Sequence, residues 1–96
     1  MDAELKSKWV KALRSGEYEQ CRNALHDGKG YCCLGVLAMV SGVGVDGRSE
    51  TIIGYDPIYK LVGNDYIARE LATRNDGYKC RANSFSEIAD YIEANL

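Results

Sequence analysis

The most apolar run in the chain, Tyr31-Cys32-Cys33-Leu34-Gly35-Val36-Leu37-Ala38-Met39-Val40, sets the strongest limit on how it can fold. In a protein of 96 residues a stretch this hydrophobic has to lie at the centre of the core. Every other element then reads as something that covers it. From Leu34 to Ser41 the pattern is apolar all round, which predicts a helix buried on most sides. Gly35 lowers intrinsic helicity there by about 1 kcal/mol relative to alanine. Its presence predicts the close approach of another segment, and Ser41-Gly42 closes the helix.

The length allows one domain, 1–96, with no room for two independent cores. Such a domain buries roughly two thirds of its unfolded surface. Apolar and charged contents of 46% and 27% are ordinary for a globular protein and speak against disorder. A net charge of −2 argues against a non-specific nucleic-acid binder, which carries a basic excess, and is too weak to mark a DNA mimic. The start, Met1-Asp2-Ala3-Glu4-Leu5, has neither the basic nor the apolar region of a secretory signal. The longest apolar run falls well short of the ~20 residues of a membrane span. The expected location is therefore the cytoplasm, with no membrane partner. The four cysteines, Cys21, Cys32, Cys33 and Cys80, are expected to be free thiols in that reducing compartment.

Along the chain, Leu5, Trp9, Ala12 and Leu13 form one stripe of a helix from Ala3 to Ser15. Asp2 is its N-cap and Gly16 its left-handed C-cap. Lys6, Lys8, Lys11 and Arg14 make up most of the opposite face. In a strand, Tyr18, Gln20, Arg22 and Ala24 would share one face and Glu19, Cys21, Asn23 and Leu25 the other, and Asp27-Gly28-Lys29-Gly30 is a turn signal. That pattern predicts strands around 20–26 and 30–33 paired as a hairpin. Residues 43–55 read as a glycine-rich loop with a short strand at Thr51-Ile52-Ile53. Asp56-Pro57 opens a short helix to Val62, and Asn64 caps another from Asp65 to about Arg74. Ser84-Phe85-Ser86-Glu87 is a capping box for a last helix, Phe85 to Asn95, with Ile88, Tyr91 and Ile92 inward. The predicted fold class is α+β, a mostly helical single domain of four to five helices with one small antiparallel hairpin.

Four kinds of chemistry have residues of the right type in these elements. Cys32 or Cys33 at a helix N-terminus, with His26 as base, suggests a nucleophile, but cysteines between Tyr31 and Leu34 read better as small core residues. Cys21, His26, Cys32, Cys33 and Cys80 supply soft ligands, yet no C-x₂-C pair gives zinc its chelate spacing. Most of the aspartates sit at turns or caps, and Gly42-Val43-Gly44-Val45-Asp46-Gly47 follows a helix rather than the strand a dinucleotide loop needs. No metal and no cofactor are therefore expected. The stronger signal is aromatic and cationic: seven tyrosines and one tryptophan against a single phenylalanine. Tyrosine offers a stacking face with a hydroxyl, and arginine a planar fork for phosphate. The candidate ligand-binding residues are Trp9, Arg14, Tyr18, Arg22, Tyr31, Arg74 and Arg81.

Three stretches carry a resemblance. They are Lys8-Trp9-Val10-Lys11-Ala12-Leu13-Arg14-Ser15-Gly16-Glu17-Tyr18, then Tyr31-Cys32-Cys33-Leu34-Gly35-Val36-Leu37, and then Asn75-Asp76-Gly77 followed by Ser84-Phe85-Ser86-Glu87-Ile88-Ala89-Asp90-Tyr91-Ile92-Glu93. In that order they resemble small proteins of unassigned function encoded by tailed bacteriophages and prophages. The resemblance implies expression in an infected bacterial cytoplasm and supplies no catalytic residues. Phage accessory proteins of this size often act against host immunity, which is an argument by association. The expectation is a non-enzymatic, homo-oligomeric binding protein that sequesters a small nucleotide signal without cleaving it. Arginines would pair with phosphates, and tyrosines or Trp9 would stack on bases. The alternatives are a protein-binding inhibitor of a CRISPR or other defence complex, and a cysteine- or metal-dependent enzyme.

Overall fold

The computed structural model describes residues 1–42, 56–77 and 81–96. Helix α1 (Ala3–Ser15) begins where the Asp2 carboxylate accepts from the Leu5 N–H at 2.8 Å and ends at Gly16, φ 78°. It buries Trp9, Val10 and Leu13, with Leu5 and Ala12 half-buried beside them. Helix α2 (Cys33–Ser41) is the apolar run itself, and Cys33 through Ala38 are all buried. Its N-cap is Cys32, whose sulfur accepts from the Gly35 N–H at 3.4 Å. Helix α3 (Asp56–Val62) turns Ile58, Tyr59 and Val62 inward. Helix α4 (Asp65–Asp76) starts at an Asn64 cap and ends at Gly77, φ 77°. Helix α5 (Phe85–Asn95) carries the complete capping box: Ser84 Oγ accepts from Glu87 N–H, and the Glu87 carboxylate accepts from Ser84 N–H.

One core cluster draws on all five helices. Helix α2 packs against α1, α3 and α4; α5 closes the other side against α1 and α4. Trp9 is fully buried, and its Nε1–H donates to the Cys33 carbonyl at 2.8 Å, which ties α1 to the first residue of α2. Full burial of each leucine or isoleucine on this seam contributes about 1.5–3 kcal/mol. The expected reason for Gly35 also holds. A Cβ there would overlap the Leu25 carbonyl oxygen and lie 3.1 Å from its carbonyl carbon, so the connecting loop presses its backbone directly onto α2.

That loop corrects the fold class. Among the described residues there is no strand and no sheet, so the architecture is all-α rather than α+β with a hairpin. Residues 20–26 and 30–33 make only isolated bridges, Gln20 with Tyr31 and His26 with the same Tyr31. The Tyr31 N–H donates to Glu19 at 2.7 Å, its carbonyl accepts from Cys21 N–H at 2.9 Å, and Cys32 N–H donates to Leu25 at 3.1 Å. The 20–26 segment therefore bends around residues 31 and 32 instead of running alongside them. Two facts explain why the strand reading fails. Ala24 and Leu25 are consecutive and both buried, which a strand with alternating faces does not permit. Between the two bridged ends, Asn23 turns into the left-handed region at φ 64°, and its N–H donates to Asp76 on α4 at 2.9 Å. The Asp27-Gly30 turn is present: the Asp27 carboxylate accepts from Lys29 N–H at 2.9 Å and Gly30 N–H at 2.8 Å. The expected strand at 51–53 lies outside the described residues.

Candidate functional site

The seven residues singled out by type do not converge. Trp9, fully buried and bonded to Cys33, presents no face for a ligand to stack on. Arg14 reaches across from α1 to α5, donating to Asp90 at 2.6 Å and Glu93 at 2.9 Å. Those two hydrogen bonds, Glu93 foremost, raise its pKa further. Arg74 donates to Glu70 at 3.1 Å and lies 4.3 Å over the Tyr91 ring. Arg81 forms a two-pronged pair with Glu87 at the start of α5. These three arginines stand on three different sets of carboxylates, and each braces one helix end or joins two helices. Arg22 is exposed on the loop. The structure does bring Tyr18 and Tyr31 together, edge to face at 5.4 Å, and adds His26 stacked on Tyr31 at 4.4 Å.

The cysteines occupy the opposite of a reactive setting. Burial pushes the Cys32 thiol up to about 12 and the Cys33 thiol well above its ordinary value. Both thiols stay protonated at neutral pH, so neither supplies a thiolate nucleophile in this fold.

A buried polar hub was not anticipated. Asn75, fully buried in the last turn of α4, accepts from Gln20 Nε2–H at 2.9 Å and from the Cys33 N–H at 3.2 Å. Its own amide donates to the Cys21 carbonyl at 2.8 Å and to Asp76 at 3.1 Å. One side chain thus satisfies the first N–H of α2, pins the loop at Cys21, and connects both to α4. In the sequence Asn75 looks like part of an Asn-Asp-Gly helix stop, and nothing local distinguishes it from a solvated cap.

A surface groove lies elsewhere, along the outer side of α1. It is an open groove of about 950 Å³ lined by Lys6, Ser7, Val10, Lys11, Arg14 and the α5 residue Glu93, among others. Arg14 is paired with Glu93 and Asp90, which leaves the charges of Lys6 and Lys11 at this face, on a chain whose net charge is −2. A local positive field in an overall acidic protein attracts anions to this face in particular. Lys8, on the same helix but outside the groove, pairs with Glu4 at 4.0 Å. Among the described residues no group of three or more metal-ligating side chains comes together, and no helix is long and apolar enough to cross a membrane.

Residues 1–47 match the model of a family described as a domain of unknown function (DUF8296). The matched segment contains α1, the bent loop and α2, and with them every α1 residue of the groove. Neither a curated protein nor a solved structure matches the chain.

Proposed function

We propose that this chain is a bacteriophage accessory protein that counters host antiviral defence by binding a nucleotide signal in the bacterial cytoplasm and holding it uncleaved. The observation that carries this reading is the cationic groove on α1, set in a protein of net negative charge. A phosphate-bearing ligand gains from such a surface, because Lys6 and Lys11 offer point charges not taken up by an ion pair among the described residues. The protonated state of Cys32 and Cys33 supports binding over covalent chemistry. Assembly of copies into a homo-oligomer belongs to the same proposal, since it would wall in a groove that is open in one chain.

The experiment is a thermal-shift panel with cyclic oligonucleotides and NAD-derived signals. A ligand held with Kd a hundredfold below its concentration stabilises the fold by about 2.7 kcal/mol, a shift of many degrees for a domain of this size. No change in melting with any of them sinks the reading. A second reading, docking onto a defence complex, is favoured by Tyr66, a large aromatic side chain of α4 left 72% exposed. Pull-down from a defence-carrying host separates the two: sequestration recovers no protein partner, docking recovers a large one.

A further inference from the structure

We infer that Lys6 and Lys11 form a clamp that grips a ligand through two phosphoryl groups and leaves its bases unread; this rests on the sequestration reading above. At ~100° per residue, Lys6 and Lys11 lie about 140° apart around the helix, on either side of the line through Val10 and Arg14. Along the axis they are separated by about 7.5 Å. They therefore stand on opposite rims of the groove, a spread suited to two anionic groups rather than one.

Most of the other charged and polar groups at this face are already committed, the Ser7 hydroxyl excepted. Arg14 is held by Asp90 and Glu93 and closes one end. The Ser15 hydroxyl donates to the Ala12 carbonyl at 2.7 Å and accepts from Glu17 N–H at 3.1 Å. Lys8 is paired with Glu4. Among the described residues Lys6 and Lys11 make no ion pair, and both line the groove. Two uncommitted ammonium groups match the two single charges of a cyclic dinucleotide's phosphodiesters. No aromatic side chain lines the groove, and Trp9 is sealed in the core. Nothing there can stack on a base, so recognition falls chiefly on the phosphates and the intervening sugar. The Glu93 carboxylate beside Arg14 is an acceptor suited to a ribose hydroxyl.

Isothermal titration calorimetry with cyclic dinucleotides that differ only in their bases, and with inorganic pyrophosphate as a base-free probe, tests the clamp. Lys6→Glu and Lys11→Glu are each expected to weaken nucleotide binding about tenfold or more, and Lys8→Glu by less than about twofold. Exchanging the bases is expected to change affinity by less than about threefold, since no base contact is lost. Lys8 and Lys11 are exposed and Lys6 is half-buried, and circular dichroism confirms that each variant is folded. Nucleotide binding that survives both groove variants, or a base preference of tenfold or more, overturns the clamp and leaves sequestration standing. Pyrophosphate binding that Lys11→Glu abolishes, with no nucleotide bound, keeps the clamp and overturns sequestration. No binding of either probe overturns the clamp, and sequestration of a cyclic dinucleotide with it.

Discussion

Gly35→Ala sets helix propensity against packing, and the two predict opposite signs. Taken alone, replacing a helical glycine with alanine stabilises by up to about 1 kcal/mol, and Gly35 is the third residue of α2. In this fold the new methyl group would overlap the Leu25 carbonyl oxygen, with the Tyr31 Cβ another 3.4 Å away. The obstacle is backbone, so it cannot rotate aside as a side chain would. Relief requires moving the loop off α2, and such forced shifts cost about 1–3 kcal/mol. The same Leu25 carbonyl accepts from Cys32 N–H at 3.1 Å, just before α2 begins. Weakening that bond adds about 1 kcal/mol. The net expectation is a loss of about 2 kcal/mol, a fall in Tm of about 8–16 °C for a domain of this size. Thermal unfolding followed by far-ultraviolet circular dichroism and by the emission of Trp9 reads it directly. A Tm equal to or above that of the parent protein would refute the packing argument.

Other perturbations test separate parts of the structure. Asn75→Ala strips the Cys33 N–H and the Cys21 carbonyl of their partner, at about 1–3 kcal/mol for each buried group, and urea unfolding should show a loss of about 3 kcal/mol or more. A loss below about 1 kcal/mol would mean the hub is not structural. Glu87 is held down to about 2, first by the Arg81 guanidinium and then by the Ser84 N–H. Its folded value lies below the ~4.3 of an unfolded glutamate. Its contribution is therefore present above that pH and is lost as pH falls toward 2. Glu87→Gln should flatten the decline of Tm across that window, and an unchanged decline contradicts the pairing. Cys32 and Cys33, buried and protonated, should resist iodoacetamide at pH 8 in the folded protein and react only in denaturant. Peptide mass spectrometry that finds Cys33 modified within minutes under native conditions would restore a reactive thiol.

The helices were legible because their signals are local. Asp2 and Gly16 bracket α1, Asn64 opens α4, and Ser84 with Glu87 opens α5, each through side-chain or backbone geometry within a few residues. The role of Gly35 was legible as well, since a glycine inside so apolar a helix needs a packing reason. The loop was not. The strand reading of Tyr18 to Leu25 fails because Ala24 and Leu25 both enter the core and Asp76 captures the turned backbone at Asn23. Those forces come from α4, some fifty residues away in the chain. The same distance hid Asn75.

Residue type also misdirected the reading of the site. Trp9 and the arginines are the side chains that proteins use for ligands, and this fold uses Trp9 to join α1 to α2 and three of the arginines to brace helices. The basic face of α1 was visible as a stripe in the sequence. That it divides into a groove with Lys6 and Lys11 on its rims and a paired Lys8 outside depends on where α5 and Glu4 lie.

The most direct test of sequestration is equilibrium dialysis of the protein against a cyclic dinucleotide, followed by heating the retained fraction and identifying what it releases. The account predicts that free ligand is depleted in proportion to protein and that the released molecule is chemically unchanged. Undepleted ligand, or recovery of cleaved or otherwise altered nucleotide, would contradict it.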